Sequence, residues 1–385
     1  MKSNYKRLGD YIQEVKVRNT ELKTEKLLGI NIDKFFMPSV ANVIGTDMSV
    51  YKIVKKNQFA CNRMHVGRDY RLPISMSRTD EEFIVSPAYD VFQITDTKIL
   101  DPEYLMMWFS RREFDRNAWF YTDADVRGGL HWKALCDMQL PIPSPTKQKE
   151  IVKEYKVIQN RIDINKQLIQ KLEETAQAIY KNWFVDFEFS DENRKPYKSS
   201  GGVMVESELG EIPTGWEVKK LSELSELKYG KMLDTELFLN AGYPVFSGYG
   251  IRGYYSEYMF KEPQILVLCR GVSGTGEVKL SPPFAYITNL SIIVEINQEK
   301  VKKMFLFYFL KNGNLRSLDS GSAQSQITTG DLYAQSIQVP ALALQEKFNE
   351  CVEKIFNKKE LYKKGIDVLN NFNSLLLSKL TSIEV

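Results

Sequence analysis

The side chains best suited to chemistry in this 385-residue chain lie in glycine-rich turns. In the first third they are Asn62, Arg63, His65, Arg68, Arg71 and Arg78, followed by Arg127 and His131 in DVRGGLHWK. Later come Tyr249, Arg252, Tyr254, Tyr255, Arg270 and Ser273, then Gln324 and Gln326 in GSAQSQITTG. Arg, Asn and Gln present two hydrogen-bonding atoms in a fixed geometry that matches one base edge, whereas Lys is a point charge that mostly meets phosphate. Singly, each of these residues fits an ordinary polar turn better than a base contact. As a group they point to a surface that reads nucleic acid.

Catalytic residues form no comparable group. SPPF at 281–284 is similar to the Asn-Pro-Pro-Phe motif whose amide holds the target amino group in amino-methyltransferases. Ser281 stands at the amide position, however, and no glycine-rich cofactor loop follows a strand, so a proline-stiffened turn is expected. GVSGTG at 271–276 has neither dinucleotide nor P-loop spacing. Two histidines cannot build a His-rich metal site, no acidic cluster has metal-ligand spacing, and no nucleophile elbow is present. The sequence predicts no catalytic residues, no metal and no cofactor in this chain.

Composition sets the bounds. The length predicts two or three domains, and 43% apolar with 26% charged residues is the make-up of a folded protein. A net charge of +3 permits a nucleic-acid partner without requiring one. Cys61, Cys136, Cys269 and Cys351 are far apart and suit a reducing compartment. No apolar run approaches the roughly 20 residues of a membrane span, and MKSNYKRLGDYI lacks a signal region. A cytoplasmic location is expected.

The turns need a scaffold, and the sequence supplies one twice. From Ile151 the apolar positions run Ile151, Tyr155, Ile158, Ile162, Asn165, Ile169, Leu172, Ala176, Ile179 and Trp183, alternating four and three. That is a heptad seam, which needs a partner helix. The partner lies 197 residues on (345 − 148): LPIPSPTKQKE at 140–150 matches IQVPALALQEK at 337–347, placing Pro143 over Pro340 and Gln148 over Gln345. The same shift gives Phe348, Val352, Ile355, Lys359, Tyr362, Ile366, Leu369, Asn373, Leu376 and Leu380. Asn165, Lys359 and Asn373 read as register devices with no chemical role. Leu135 falls over Leu332 and Leu140 over Ile337, and YKRLGDYI at 5–12 weakly matches VKKLSELS at 218–225. The globular segments combine short β-rich runs with short apolar helices, giving α+β with twisted, mostly antiparallel sheets. The expected organisation is 1–144 globular, 145–189 long helix, 190–207 linker, 208–340 globular and 341–385 long helix.

The stretches QKEIVKEYKVIQNRIDINKQLIQKLEETAQAIYKNWFVDFEF and SELGEIPTGWEVKKLSEL, with the helix after VPALALQEKF, resemble the DNA-specificity (S) subunits of type I restriction-modification systems. The resemblance covers essentially the whole chain. It implies two target-recognition domains, each reading half of a split double-stranded DNA site, and two long antiparallel coiled-coil helices that set the half-site separation. It also implies two methyltransferase (M) subunits carrying S-adenosylmethionine, and a restriction (R) subunit using ATP and Mg where one is present. The recognition segments share little identity outside their flanks, so the expected target is asymmetric, with half-sites about one DNA turn apart. Two rivals stay open: a coiled-coil scaffold whose ends bind proteins, and a stand-alone DNA-modifying enzyme. A neighbouring adenine methyltransferase gene would separate them.

Overall fold

The computed structural model describes residues 5–39, 45–64, 66–122, 128–192, 194–271, 274–319 and 326–379. The chain forms two compact units, one of residues 1–166 with 364–385 and one of residues 167–363. Among the described residues no helix is long and apolar enough to cross a membrane.

Both units follow one plan. The first holds a four-stranded antiparallel sheet in the order Ile12–Val15, Asp90–Ile94, Phe59–Cys61, Ile74–Met76. The second repeats it as Ser225–Tyr229, Ser291–Ile296, Ile265–Leu268, Val278–Leu280. A two-stranded antiparallel pair accompanies each sheet: Tyr5–Arg7 with Gln139–Pro141, and Glu217–Lys220 with Ser336–Val339. The apolar stretches at 102–109 and 303–312 are helices in both units. Asp101 caps the first by accepting from the backbone of Glu103 and Tyr104, with Pro102 in the first turn. The internal repeat is thus present in topology as well as in sequence, and the α+β, mostly antiparallel expectation holds.

The central strands read as continuous apolar runs because both of their faces are covered. Ile265, Val267, Ile292 and Val294 face the main core, while Leu266 and Ile293 meet a smaller cluster with Ala285 and Ile287. In the first unit Phe59, Cys61 and Phe92 enter the main core, while Ala60 and Val91 pack with Val54 and Phe83.

Two long helices, Pro145–Phe184 and Leu342–Lys379, contribute to both units and pack together. In the first unit the Asn373 amide bonds to the Tyr155 hydroxyl, and a Cβ on Gly365 would lie 3.5 Å from the Asn165 amide. In the second unit Lys359 reaches Glu173, and Phe348 packs on Phe184 with ring centroids 4.9 Å apart. Advancing along one helix means retreating along the other, so the stretches are antiparallel in both units. Every described seam position is buried or half-buried; Leu380 lies outside the described residues.

The Asn165 and Asn373 side-chain oxygens are buried without a hydrogen-bond partner. Lys359 is more than an interruption, because it shares the Glu173 carboxylate with Lys311. Burial would raise Glu173, but hydrogen bonds from the two lysines carry it below the usual carboxylate range. Phe184, Phe187 and Phe189 all enter the core of the second unit, where Phe187 (φ 59°) turns the chain and Phe189 stacks on Tyr197 at 4.7 Å.

Candidate nucleic-acid interface

In the first unit, strand Phe59–Cys61 runs into the turn that carries Asn62 and Arg63. The Asn62 side chain accepts from the Met64 backbone at 3.1 Å, closing the turn. Leu130 N–H donates to the Arg63 carbonyl at 3.0 Å, and Gly67 N–H donates to the Gly128 carbonyl at 2.7 Å. A Cβ on Gly67 would sit 2.8 Å from the Gly128 Cα, so both positions require glycine for the backbones to meet. These contacts stitch the 62–71 and 128–132 loops into one surface, uniting two groups that are far apart in sequence.

The residues within that surface do different work. Arg63 is a brace: it bonds the Asp90 carboxylate and the Leu130 carbonyl, lies 6.0 Å over the Trp132 ring, and leaves its side chain 21% exposed. Arg68 pairs with its neighbour Asp69 at 2.7 Å and Arg71 with Asp33 at 2.9 Å, both on the exposed surface. Exposed pairs of this kind are worth at most about 1 kcal/mol, so a phosphate or base can displace the carboxylate. Arg78 belongs elsewhere, bidentate on Glu103 (3.0 and 2.7 Å) beside Lys156 of the first long helix. His131 is exposed at the start of helix Trp132–Asp137. His65 and Arg127 lie outside the described residues.

The second unit builds an equivalent surface from different side chains. Ile327 N–H donates to the Cys269 carbonyl at 3.0 Å, in the place of the Leu130–Arg63 bond, and 327 − 130 is the same repeat distance of 197. Arg270 and Gln326 form an antiparallel bridge, and the Tyr249 hydroxyl donates to the Arg270 carbonyl at 2.8 Å. Tyr249 packs close to Gly271 (φ 118°) and Gly274, where a Cβ would fall 2.2 Å from its hydroxyl and 2.5 Å from its ring. Tyr249, Arg270 and Gln326 therefore meet. Arg252, Tyr254 and Tyr255 stand on the outer strand Ile251–Tyr255, which pairs with Tyr243–Phe246. Ser273 and Gln324 lie outside the described residues.

The proline-stiffened turn at 281–284 is bound into the fold: Ser281 is buried, its hydroxyl accepting from Gln264 N–H at 2.9 Å. The sequence reading passed over Tyr70, Trp119, Phe120 and Tyr121, all exposed aromatics beside the arginine loops. Their signal was the unbroken run Trp119–Phe120–Tyr121 at the end of an arginine-bearing helix.

Residues 213–371 match a family model described as Type I restriction modification DNA specificity domain. The Type I restriction enzyme MjaIX specificity subunit of Methanocaldococcus jannaschii is 26% identical over 283 residues, covering 66% of this chain and 64% of that protein. The HindI specificity subunit of Haemophilus influenzae is 25% identical over 213 residues, covering 53% of this chain and 45% of that protein. The chain thus spans less than two-thirds of the length of these two relatives. The crystal structure of a type I restriction-modification S subunit from M. genitalium shares the fold, with a TM-score of 0.57 and 16% identity over 98% of this chain and 95% of that one. In sequence and in fold this protein resembles the specificity subunits of type I restriction-modification systems, and the match to their DNA specificity domain lies in residues 213–371.

Proposed function

We propose that the chain is the non-catalytic DNA-recognition subunit of a type I restriction-modification complex, each unit reading one half of a bipartite site. The observation that carries this reading is the pair of equivalently anchored loop surfaces. Both hang from the corresponding strand of their sheets by a corresponding backbone bond, whose donors Leu130 and Ile327 are 197 residues apart, yet one presents Arg68, Arg71 and His131 and the other Tyr249, Arg270 and Gln326. Equivalent placement fits two readers, and different side chains fit two different half-sites, hence an asymmetric target. The two long helices would then set the half-site spacing.

The helix pair also offers a place for methyltransferase subunits. In the first unit Val157 and Ile164 of one helix and Val368, Phe372 and Leu375 of the other are exposed. Each immediately precedes a seam residue. In an antiparallel pair, a step back along either helix turns toward the same side, so these residues share one apolar face. Helices of a partner would cover such a face. The proposed partners are duplex DNA and two M subunits carrying S-adenosylmethionine, with an R subunit supplying ATP- and Mg-dependent cleavage where one exists.

The test is methylation mapping of DNA from cells carrying the adenine methyltransferase encoded beside this gene, with and without the chain. Adenine methylation at a split, asymmetric motif that disappears with the chain is the expected result. Unchanged methylation would refute the reading and favour a protein-binding scaffold.

A further inference from the structure

Helix Arg112–Phe120 of the first unit is amphipathic the wrong way for an isolated surface helix. Its inner positions Phe114, Asp115 and Ala118 are buried, as expected. Its outer face carries Arg112 and Arg116 and then, one turn on, Trp119 and Phe120, which are 45% and 76% exposed. The spacings i, i+4, i+7 and i+8 put all four on one side. Two large aromatics at solvent-facing positions contribute little to folding, and rotating the helix to bury them is blocked at both ends. Arg111, just before the helix, is buried with its guanidinium 4.3 Å over the Trp108 ring. Asp115 accepts from Lys34 at 2.8 Å and from the Leu72 backbone at 3.1 Å, inside the protein.

The same anchor ties this helix to the arginine loop. Leu72 ends the Arg68–Arg71 stretch, and within that stretch Tyr70 (φ 56°) places its ring 5.4 Å from Trp119. Trp119 is thereby braced from the side, and Phe120 stands beyond it, edge to face with Tyr121 at 5.4 Å. Arg68, Tyr70, Arg71, Arg112, Arg116, Trp119 and Phe120 thus form one surface, on which Glu113 faces Arg116 at 3.9 Å.

We propose that the outer face of helix Arg112–Phe120 is a DNA-contacting element in which Arg112 and Arg116 meet phosphates and Phe120, backed by Trp119 and Tyr70, wedges into a base step of the half-site read by this unit. Apolar side chains inserted between bases open and kink a step, and arginines beside them hold the flanking backbone. Duplex DNA is favoured over a protein surface because the aromatics continue directly into the exposed arginines of the candidate interface. The role rests on the specificity reading above and adds a structural consequence to it: the half-site is deformed as well as contacted, so the step at the wedge is selected by how easily it opens.

The experiment uses the full chain co-purified with its methyltransferase, a short duplex carrying the methylation-mapped motif, and a second duplex without it. 2-Aminopurine is placed at successive positions of the motif. Wild type should brighten one position in the first unit's half-site besides the adenine that the methyltransferase flips out for methylation. Phe120→Ala should abolish the brightening and weaken motif binding about tenfold, and Phe120→Trp should restore both. The double variant Arg112→Ala/Arg116→Ala should weaken binding to both duplexes and make the log-affinity against log-salt slope shallower by about two. If wild type methylates a split motif but none of these variants alters brightening, affinity or slope, the wedge is overturned and the specificity reading stands. Loss of methyltransferase co-purification with an unchanged salt slope would assign the face to a protein partner instead, also overturning it. If wild type directs no methylation at all, the specificity reading fails and the wedge with it.

Discussion

Gln148 and Gln345 are both fully buried and share two equivalent bonds in the two units. Gln148 accepts from the Asp101 backbone at 2.8 Å and donates to the Pro143 carbonyl at 2.8 Å; Gln345 accepts from Lys302 at 2.9 Å and donates to Pro340 at 2.7 Å. Each ties the start of a long helix to the start of the short apolar helix beside it. Gln345→Ala leaves a buried N–H and a buried C=O without partners, so urea denaturation should show a loss of about 2–4 kcal/mol. The pairing of these glutamines was legible in the sequence, but their task was not, because their partners are backbone groups, one of them 47 residues away. The cysteines give a second test. Cys61, Cys136 and Cys269 are buried, and burial pushes their thiols above the usual range, while Cys351 is half-exposed. A thiol reagent should therefore label Cys351 first in the folded protein and the other three only on unfolding. The candidate contacts were less legible than either. Arg63 and Arg71 look alike in sequence, and only the carboxylates and carbonyls around them distinguish a brace from an exposed contact.

At the scale of elements, the heptad seam was readable because a coiled-coil face declares itself by spacing alone. Tyr180 was missed as core because its burial comes from a different direction: it meets Phe305 and Tyr308 of the short helix as well as Phe348 of the partner helix. Heptad spacing registers only one neighbour. Gly365 stands inside a 38-residue helix with room for a methyl group, since a Cβ there would lie 3.5 Å from the Asn165 amide. Gly365→Ala should stabilise the protein by about 0.5–1 kcal/mol in urea, through helix propensity and a less free unfolded chain. Glu173 sets a pH dependence. Its folded value lies below its ordinary value of 4.5, so the stability it adds is present above that pH and fades as the pH falls through the folded value. Glu173→Gln leaves two half-buried lysines without their carboxylate and should cost about 2 kcal/mol at pH 7. The gap between wild type and variant should narrow as denaturation curves are taken below about pH 4.5; a gap that stays constant into acid would show that Glu173 acts through packing alone.

For the whole molecule, two linked expectations separate reading from measuring. On the proposed function, replacing residues 62–131 by the corresponding segment of a specificity subunit that the chain resembles should change one half of the methylated motif and leave the other half and the spacing intact. Adding one heptad to each long helix at facing positions, after Lys166 and before Lys364, preserves the seam and adds about 10 Å of helix. If the helices set the spacing, the interval between half-sites should grow by about three base pairs. An unchanged interval would mean the helices do not act as the ruler. The chain's repetition was visible in the sequence because the flanks of the recognition segments still match; the content of each loop was not, because the structure shows its residues meeting across gaps of more than fifty positions, as Arg63 and Leu130 do.

Leu8 and Leu377, near opposite ends of the sequence, belong to one core of the first unit, while residues 167–363 build the second without interruption. In topology the polypeptide is closer to a ring than to a line. A gene permuted to open in the exposed tract at 198–201, with a flexible tether across the former ends, should yield the same two units and, on the proposed function, direct methylation to the same motif. The order in which the two units are translated would then be an accident of where the ring was cut.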